Sequence, residues 1–231
     1  MMPTITWPQR LSEPAGAPAA GEVHLWQTSL DEVTADGGIS CSALSIRERE
    51  RARRFVFEKH HKRYLSGRAW LRSVLGACLN LPPAAVPLTI NAYGKPCIAP
   101  EANLAGLKFN LSHCGGLALL AVTTQREIGV DLQSELEDAV WPAIAERFCV
   151  SQENKYIQNL PPTMRSAAFA QIWTRKEAAG KASGEGLTSR IFSTPVGPAD
   201  WGTIDCGGGL SVWSLPTRNR FAAAIAVCEP A

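Results

Sequence analysis

The sequence predicts an α+β protein with two halves, each containing a long helix and several short strands. Helical and strand-like segments follow one another without the strict alternation of a parallel βαβ protein. The 231 residues are enough to bury a sizeable core, and 45% hydrophobic with 19% charged residues is typical of a soluble globular chain. We expect the halves, residues 1–123 and 124–231, to meet near residue 124.

The first half contains a helical pattern that begins at Ser45. Glu48 follows Ser45 by three residues, which is the spacing of a capping box. The pattern continues to Asn80 with a break near residues 55–60, and it stops before two prolines. A long helix with one break is therefore predicted over this segment.

The second half is predicted to contain its own long helix, from a cap at Thr163 to about Ala182, with Gly184 as the stop. Strands are predicted where short apolar or alternating runs are bounded by turn residues. These runs are Val23–Thr28, Val86–Asn91, Leu107–Leu111, Leu117–Thr123, Ile128–Gln133, Leu210–Leu215 and Arg220–Cys228, and a shorter helix is predicted at Trp141–Phe148.

The seven cysteines predict a reducing compartment. Their number is odd and no two have C-x-x-C spacing, so we interpret them as small buried hydrophobic residues and expect a cytoplasmic protein. The longest apolar run, Leu117–Val122, is too short for a membrane helix, which needs about 18 apolar residues. The first residues do not resemble a secretory signal, so neither secretion nor membrane association is expected.

Positive charge is concentrated in residues 47–72. This segment holds ten of the 23 basic residues and three acidic ones, a net charge of +7 in a chain whose net charge is +2. Arg51, Arg54 and Arg63 can offer guanidinium groups to phosphate, as can Arg68 and Arg72 further on. A solvated helix face is an alternative. Nucleic-acid binding is another, against which the interleaved glutamates and the acidic remainder argue. The pattern favours a compact anionic ligand.

Two short motifs carry candidate metal ligands. In Gly129-Val130-Asp131-Leu132-Gln133, Asp131 and Gln133 share one face of a strand, and their oxygen atoms suit a hard cation such as Mg²⁺. An aspartate at a strand end can equally be structural or solvated.

Trp173, Glu177 and Lys181 repeat at positions i, i+4 and i+8, nearly one face of a helix. An ordinary surface Glu–Lys pair is one interpretation. The tryptophan on the same face favours partial burial, where the carboxylate could hold a metal and the ammonium an anion.

Ser112 and His113 are predicted to lie in a loop, residues 112–116, that joins two strands. Adjacent residues of an extended segment point to opposite faces, so these two cannot form a direct nucleophile–base pair, and no G-x-S-x-G surrounds them. They are better suited to donate hydrogen bonds to phosphate oxygens, although a polar turn without a ligand is an alternative.

Taken together, the motifs resemble those of the Sfp-type 4′-phosphopantetheinyl transferases, from about Arg47 to Leu187. Each motif is modest alone, but five in this order and spacing are specific. They are RxRRF at Arg51–Phe55, GKP at Gly94–Pro96, FNLSH at Phe109–His113, GVD at Gly129–Asp131 and WxxKEAxxKxxGxGL at Trp173–Leu187.

The resemblance implies two pseudo-symmetric halves, each a small mainly antiparallel sheet packed with a long helix, and an active site in the cleft between them. It implies that coenzyme A and an apo acyl or peptidyl carrier protein are converted to the holo carrier and adenosine 3′,5′-bisphosphate. Mg²⁺ is the implied cofactor, with Mn²⁺ as an alternative, and Asp131 and Glu177 are the implied metal carboxylates. Gln133 stands where the family often has glutamate, and its amide oxygen or a water would complete the metal shell.

The resemblance also implies roles for the remaining motif residues. Arg51 and Arg63 would bind the nucleotide end of coenzyme A, including its 3′-phosphate, and Lys95 with Pro96 would form the adenine-side turn. Asn110, Ser112 and His113 would line the nucleotide and phosphates, Lys181 would bind the pyrophosphate, and Glu177 would take the proton of the carrier serine. Glu48, where some relatives are basic, is expected to face solvent.

The expected partners are coenzyme A and the carrier protein, without nucleic acid or membrane, and the protein is expected to be a monomer. Carriers of fatty-acid, polyketide and non-ribosomal peptide synthesis all present a serine on a small acidic helical domain. Two other functions are kept as alternatives: a non-catalytic binder of nucleotide or nucleic acid that uses the arginine-rich helix, and a hydrolase of the same fold that acts on nucleotides like coenzyme A.

Overall fold

In the described residues, ten strands and six helices form an α+β structure, the fold class that the sequence predicts. The computed structural model describes residues 4–6, 16–32, 41–184, 186–198, 202–217 and 220–229. The strands are β1 (Thr4–Thr6), β2 (Glu22–Ser29), β3 (Leu88–Ile90), β4 (Pro96–Ile98), β5 (Leu107–Cys114), β6 (Leu117–Thr124), β7 (Ile128–Ser134), β8 (Ile204–Asp205), β9 (Leu210–Leu215) and β10 (Phe221–Cys228). The helices are α1 (Ile46–Ala52), α2 (Glu58–Leu79), α3 (Trp141–Phe148), α4 (Ser151–Asn159), α5 (Pro162–Ser183) and α6 (Ser189–Ser193).

The chain divides into two compact units that alternate along part of the sequence. The first contains residues 1–91, Pro96–Lys108 and Gly115–Gln125, and the second contains Ala92–Lys95, Phe109–Cys114 and residues 126–231. The division into 1–123 and 124–231, and the cleft between two pseudo-symmetric halves, stay predictions.

In the first unit, β2 pairs antiparallel with β6, from Val23 opposite Thr123 to Ser29 opposite Leu117, and β1 adds parallel to β2. Apolar residues of β2, β6 and one face of α2 are fully buried, because these elements are apolar at the periods of two residues for a strand and 3.6 for a helix. Leu25, Leu71, Leu75 and Leu120 are among these buried residues.

Glu48 joins α1 to α2. The predicted capping box is present: Ser45 Oγ accepts from the Glu48 N–H and Glu48 Oε2 accepts from the Ser45 N–H. The same carboxylate accepts hydrogen bonds from Arg68 Nε at 2.7 Å and Arg72 Nε at 2.8 Å. Burial alone would raise the pKa of Glu48, but the Ser45 N–H and the two guanidinium groups hold it below the ordinary value.

The prediction that Glu48 faces solvent is therefore wrong, since its side chain is buried at the helix junction. Arg72 is also buried and donates to the carbonyl oxygens of Pro83 and Val86, so this arginine is a structural residue rather than one offered to phosphate.

The second unit is built on the antiparallel sheet β7-β10-β9-β8, against which α5 packs. Most of the β10 residues that pair with β7 are alanines, whose small side chains allow α5 to pack close to the sheet. Phe169 and Ile172 on α5 belong to the same buried cluster as Val212 on β9. The helix ends as predicted, at Gly184 in the left-handed conformation with φ +76°.

Several boundaries differ from the sequence-based expectation. The cap of α5 is Pro161 rather than Thr163, because a proline pair already supplies the φ angle of a helix start. Helices α4 and α6 were not predicted, since both are short. Strand β5 continues to Cys114, so Ser112 and His113 lie in a strand and not in the predicted loop.

A fully buried ion pair fixes the segment that follows α6. Lys176 Nζ lies 3.0 Å from Glu153 Oε2 and donates to the Thr194 carbonyl oxygen at 2.8 Å. Glu153 Oε1 accepts from the N–H of Val196 at 2.8 Å and from that of Gly197 at 3.2 Å. Because each charge has several hydrogen-bond partners, the pair is tolerated at zero exposure.

The prediction that the cysteines are buried is confirmed for Cys78, Cys149 and Cys206, whereas Cys97, Cys114 and Cys228 are partly exposed. All six whose side chains are described are unbridged, namely Cys78, Cys97, Cys114, Cys149, Cys206 and Cys228. Among the described residues, no helix combines the length and the apolar character needed to span a bilayer.

Candidate active site

Asp131 lies at the outer edge of the second sheet, on β7, and is 6% exposed. Its Oδ1 atom accepts a hydrogen bond from Ser112 Oγ at 2.8 Å and one from Lys181 Nζ at 2.5 Å. The ammonium group of Lys181 also donates to Ser112 Oγ and to the Val130 carbonyl oxygen, both at 3.2 Å. Three motifs that are distant in sequence therefore meet at one carboxylate.

Side chains of β5 satisfy the free edge of β7. Asn110 Oδ1 accepts from the Val130 N–H at 2.9 Å, and Ser112 Oγ accepts from the Leu132 N–H at 3.3 Å. The series continues at Cys114, whose Sγ accepts from a third β7 N–H at 3.3 Å. Residues two apart on a strand face the same side, which is why Asn110, Ser112 and Cys114 can all bind β7. Their hydrogen bonds hold the backbone that carries Asp131.

Glu177 lies one helical turn before Lys181 on α5 and is partly buried. Burial raises the pKa of the Glu177 carboxyl, and the negative charge of Asp131 raises it further, while Lys181 acts in the opposite direction. Asp131 and Glu177 thus share one electrostatic environment. Glu177 and Lys181 are four residues apart and therefore lie on the same face of α5, as the helix period predicts.

Trp173, one turn before Glu177, anchors this face of α5. Its ring lies 5.6 Å from that of Phe148 and 6.0 Å from that of Phe169, centroid to centroid. The tryptophan therefore marks a partly buried helix face, as the sequence predicts, and the alternative of an ordinary surface Glu–Lys pair does not fit this packing.

Gly129 allows the helix and the strand to approach. A Cβ atom at this position would lie 2.1 Å from the Ala178 carbonyl oxygen and 2.5 Å from the Ala182 amide nitrogen. Both are backbone atoms of α5, which no side-chain movement can displace. The glycine of the GVD motif is thus explained by close packing of α5 on β7, two residues before Asp131.

Lys95 ties the same strand and helix together from a turn. Its Nζ atom donates to the carbonyl oxygens of Ile128 at 3.0 Å and Lys181 at 2.9 Å, and to Glu127 Oε2 at 3.0 Å. An ammonium group has three N–H donors, so these contacts use its full set. The structure therefore places the Lys95 ammonium on the backbone that carries Asp131 and Lys181.

The donor set on β7 and α5 fits a hard divalent cation. Among the described residues, no three His, Cys, Asp or Glu side chains cluster as a metal site. The oxygen ligands here are two carboxylates and the amide of Gln133, which lies on the Asp131 face of β7 and is partly exposed. Burial raises the pKa of Glu177 and the charge of Asp131 raises it further, so a cation bound between the two carboxylates would offset their repulsion.

The predicted nucleotide ligands Arg51 and Arg63 lie in the first unit. Arg63 binds Asp31 through two hydrogen bonds, from Nε at 2.6 Å and from Nη2 at 2.5 Å. The Arg51 guanidinium lies over the ring of Tyr64, 5.8 Å from its centroid. A surface cavity beside it is lined by Arg47, Glu50, Arg51, Arg54 and Phe55.

The structure brings together four predicted site residues, Ser112, Asp131, Glu177 and Lys181. Asn110 and Lys95 bind the backbone around them, Pro96 begins β4, and His113 is exposed on the opposite face of β5 from Ser112. The close approach at Gly129 was not predicted, although a glycine inside a strand is a signal for one. The ligand roles of all these residues stay predictions.

A carboxylate pair beside an ammonium group is chemically suited to bind phosphate esters and anhydrides. Two family models match the chain and identify the class of protein. The N-terminal 4′-phosphopantetheinyl transferase model matches residues 25–125, and that of the 4′-phosphopantetheinyl transferase superfamily matches residues 127–225. The chain belongs to this superfamily, whose members use coenzyme A as a substrate.

Curated relatives agree with the family models. The chain is 36% identical over 210 residues, 89% of its length and 87% of the relative, to the 4′-phosphopantetheinyl transferase HetI of a Nostoc species. It is 30% identical over 163 residues, 71% and 70% of the two chains, to a 4′-phosphopantetheinyl transferase of Bacillus subtilis. It is 28% identical over 162 residues, 64% and 51% of the two chains, to the human L-aminoadipate-semialdehyde dehydrogenase-phosphopantetheinyl transferase.

Proposed function

We propose that this protein transfers the 4′-phosphopantetheine arm of coenzyme A to a serine of an apo acyl or peptidyl carrier protein and releases adenosine 3′,5′-bisphosphate. The contact of Lys181 with Asp131, next to Glu177, carries this proposal. It supplies two carboxylates for a cation and an ammonium group for phosphate oxygens on one strand–helix pair. Family membership favours the transferase over the nucleic-acid binder and the hydrolase.

Binding of coenzyme A is assigned to the basic segment and the motifs around β7. The net charge of +7 over residues 47–72 attracts a ligand that carries a pyrophosphate and a 3′-phosphate. Arg51 and Arg63 are the proposed ligands of the nucleotide end. Lys95, Pro96 and the 110–113 segment are proposed to border the nucleotide, with Lys95 acting through its backbone turn because its ammonium group already has three acceptors.

Mg²⁺ is proposed to be held by Asp131 and Glu177, with Gln133 or a water completing the shell. When bound, the cation supplies positive charge to the pyrophosphate oxygens and so stabilises the charge that develops during phosphoryl transfer. Asp131 is suited to this role because its Oδ1 is held by Ser112 and Lys181, while its Oδ2 accepts no hydrogen bond from the described residues.

In the proposed reaction, the carrier serine oxygen forms a bond to the phosphorus that bears pantetheine, and the bond from that phosphorus to the bridging oxygen breaks. The bridging oxygen and its electron pair leave with adenosine 3′,5′-bisphosphate, whose charge Lys181 stabilises. Glu177 takes the serine proton.

The partner and setting follow from the same proposal. A carrier protein presents its serine on an acidic helical surface, which the basic segment complements. The free thiols support a reducing compartment, the cytoplasm, and we propose a monomer.

Mass spectrometry of apo carriers tests the proposal. Incubation with the protein, coenzyme A and Mg²⁺ should add about 340 Da to an apo acyl or peptidyl carrier, the mass of the transferred group. Asp131→Asn should abolish the gain while the circular dichroism spectrum is retained. Absence of the gain with every carrier tried would overturn the assignment, and release of free 4′-phosphopantetheine without a carrier would identify the hydrolase instead.

A further inference from the structure

Three consecutive large apolar residues are exposed between α1 and α2. Phe55, Val56 and Phe57 are 39%, 90% and 68% exposed. Removing apolar surface from water is favourable by about 25 cal/mol per Å², so a run of exposed apolar side chains marks a surface that a partner can cover. The mechanism proposed above uses none of the three.

Basic side chains surround these residues. Arg53, Arg54 and Lys59 are exposed and form no ion pair with any carboxylate of the described residues. Together with Phe55, Val56 and Phe57 they make up what we call the helix-junction patch. Arg53 and Arg54 are therefore available to an acidic partner, while the charge of Lys59 also lowers the pKa of the Asp31 carboxyl.

The patch is presented by a fixed frame. Glu48 of α1 binds Arg68 and Arg72 of α2 and also takes part in the cap at the start of α1. These hydrogen bonds hold together the two helices that flank the patch. The Phe55 ring lies 5.3 Å from the Tyr64 ring on α2, which limits the freedom of the segment. A surface held in place loses little conformational freedom on binding, which favours affinity.

The positive charge and the exposed apolar side chains of the helix-junction patch indicate which kind of partner it binds. A second copy of the chain in a two-fold dimer would bring the same positive patch onto itself, which like-charge repulsion opposes. A small anion would use the basic side chains but leave three apolar ones exposed. An acidic helical protein surface with an apolar residue complements both parts.

We propose that the helix-junction patch docks the apo carrier protein, with Val56 and Phe57 as apolar contacts and Arg53 and Lys59 as partners of carrier carboxylates. This inference rests on the proposed function and adds to it where the carrier binds. Apolar anchors at the centre of such an interface contribute most of the affinity, while charges at its rim contribute to the association rate.

Steady-state kinetics of the complete protein test the proposal with the carrier that the wild type loads. Val56→Ser/Phe57→Ser should raise the KM for the carrier about tenfold, the loss expected for removing an interface anchor, with the KM for coenzyme A unchanged. Arg53→Glu/Lys59→Glu should raise the carrier KM and weaken its dependence on salt concentration. Leu104→Ser is the matched control, because it also replaces an exposed apolar side chain. Leu104 is 98% exposed, but its segment, residues 97–107, holds no basic residue and one acidic residue, Glu101.

The outcomes separate the docking proposal from the proposed function. An unchanged carrier KM in both double variants, or an equal rise in the KM for coenzyme A in the uncharged Val56→Ser/Phe57→Ser variant, would overturn the docking surface while leaving the transferase intact. A wild type that sediments as a dimer and a Val56→Ser/Phe57→Ser variant that sediments as a monomer would assign the patch to self-association. Absence of any transfer by the wild type would instead overturn the function itself.

Discussion

Asp131 and Glu177 are two acids with different surroundings. Asp131 accepts hydrogen bonds from Ser112 and from Lys181. The pKa of Glu177 is raised by burial and by the charge of Asp131. In the absence of a cation, Glu177 therefore binds a proton more readily than an exposed glutamate does.

The raised pKa of Glu177 predicts how stability depends on pH. In the folded protein Glu177 binds its proton more tightly than in the unfolded chain, so its ionisation costs stability above the folded-state pKa. Glu177→Gln should therefore raise Tm at pH 7–8 without divalent ions. The difference should vanish as the pH falls below about 4.3, the ordinary value for glutamate. Thermal denaturation in EDTA from pH 4 to 8 measures it.

The exposed Glu101→Gln is the control for loss of one carboxylate, and its Tm should follow that of the wild type. A Glu177→Gln variant with a lower Tm than the wild type at neutral pH would contradict the electrostatic argument. Addition of Mg²⁺ should reduce the advantage of the variant, because the proposed cation neutralises the wild-type carboxylates.

Arg63 and Asp31 give a second prediction. The Asp31 carboxylate accepts hydrogen bonds from Nε and Nη2 of Arg63. A guanidinium group has five N–H donors, so the remaining ones are available to a phosphate. Arg63→Ala should raise the KM for coenzyme A about tenfold and remove its advantage over 3′-dephospho-coenzyme A, since charge-assisted hydrogen bonds contribute most. Asp31→Asn should act in the same direction more weakly, because it positions the guanidinium.

A matched control is Arg220→Ala, which removes an exposed ion pair with Glu135 in the second unit. It should leave both KM values unchanged. If Arg63→Ala weakened coenzyme A and its 3′-dephospho form equally, the assignment of Arg63 to the 3′-phosphate would be wrong.

At the scale of elements, the site depends on how closely α5 lies on β7. Gly129→Ala places a methyl group against helix backbone, so the two elements must separate. We expect a loss of about 3 kcal/mol in unfolding free energy, as for other overpacked core positions, together with a loss of transfer activity. Urea denaturation and the carrier assay measure the two effects.

Gly16→Ala is the control, because a Cβ atom at Gly16 meets no atom within 4 Å. It should leave stability within about 0.5 kcal/mol of the wild type, as surface substitutions usually do. Wild-type stability and activity in Gly129→Ala would show that β7 and α5 are not in close contact.

Helix α5 also explains why neighbouring charged residues have unlike roles. Lys176 and Glu177 are adjacent, and successive helix positions differ in direction by about 100°. Lys176 is buried against Glu153, while Glu177 shares the environment of Asp131. The KEA motif therefore combines a structural lysine and a candidate catalytic glutamate.

For the whole molecule, the thiols give a prediction that tests burial directly. Burial raises the pKa of Cys78 and Cys149 to about 12 and that of Cys206 to about 11. Since the thiolate is the reactive form, these three should resist a thiol reagent at pH 8 in the native protein. In denaturant all seven cysteines should react. Fast reaction of Cys78, Cys149 or Cys206 in the native state, identified by peptide mapping, would contradict the fold.

Much of the local structure follows from local patterns. The capping box at Ser45, the break before α2 and the stop at Gly184 were predicted because each depends on a few adjacent residues. The burial of Glu48 was not, because its partners lie 20 and 24 residues further along the chain. Side-chain pairing over such a distance leaves no periodic signal.

By itself, the sequence determined the fold class and the long helices, since hydrophobic period is a local property, whereas the residues that meet at Asp131 were expected from the resemblance of five motifs to a known family. The tertiary structure alone decided that β5 side chains support the edge of β7, that Lys95 holds the backbone of the site and that Gly129 admits α5. These depend on which backbone atoms come within hydrogen-bond or van der Waals distance, and that is fixed when strand and helix pack together.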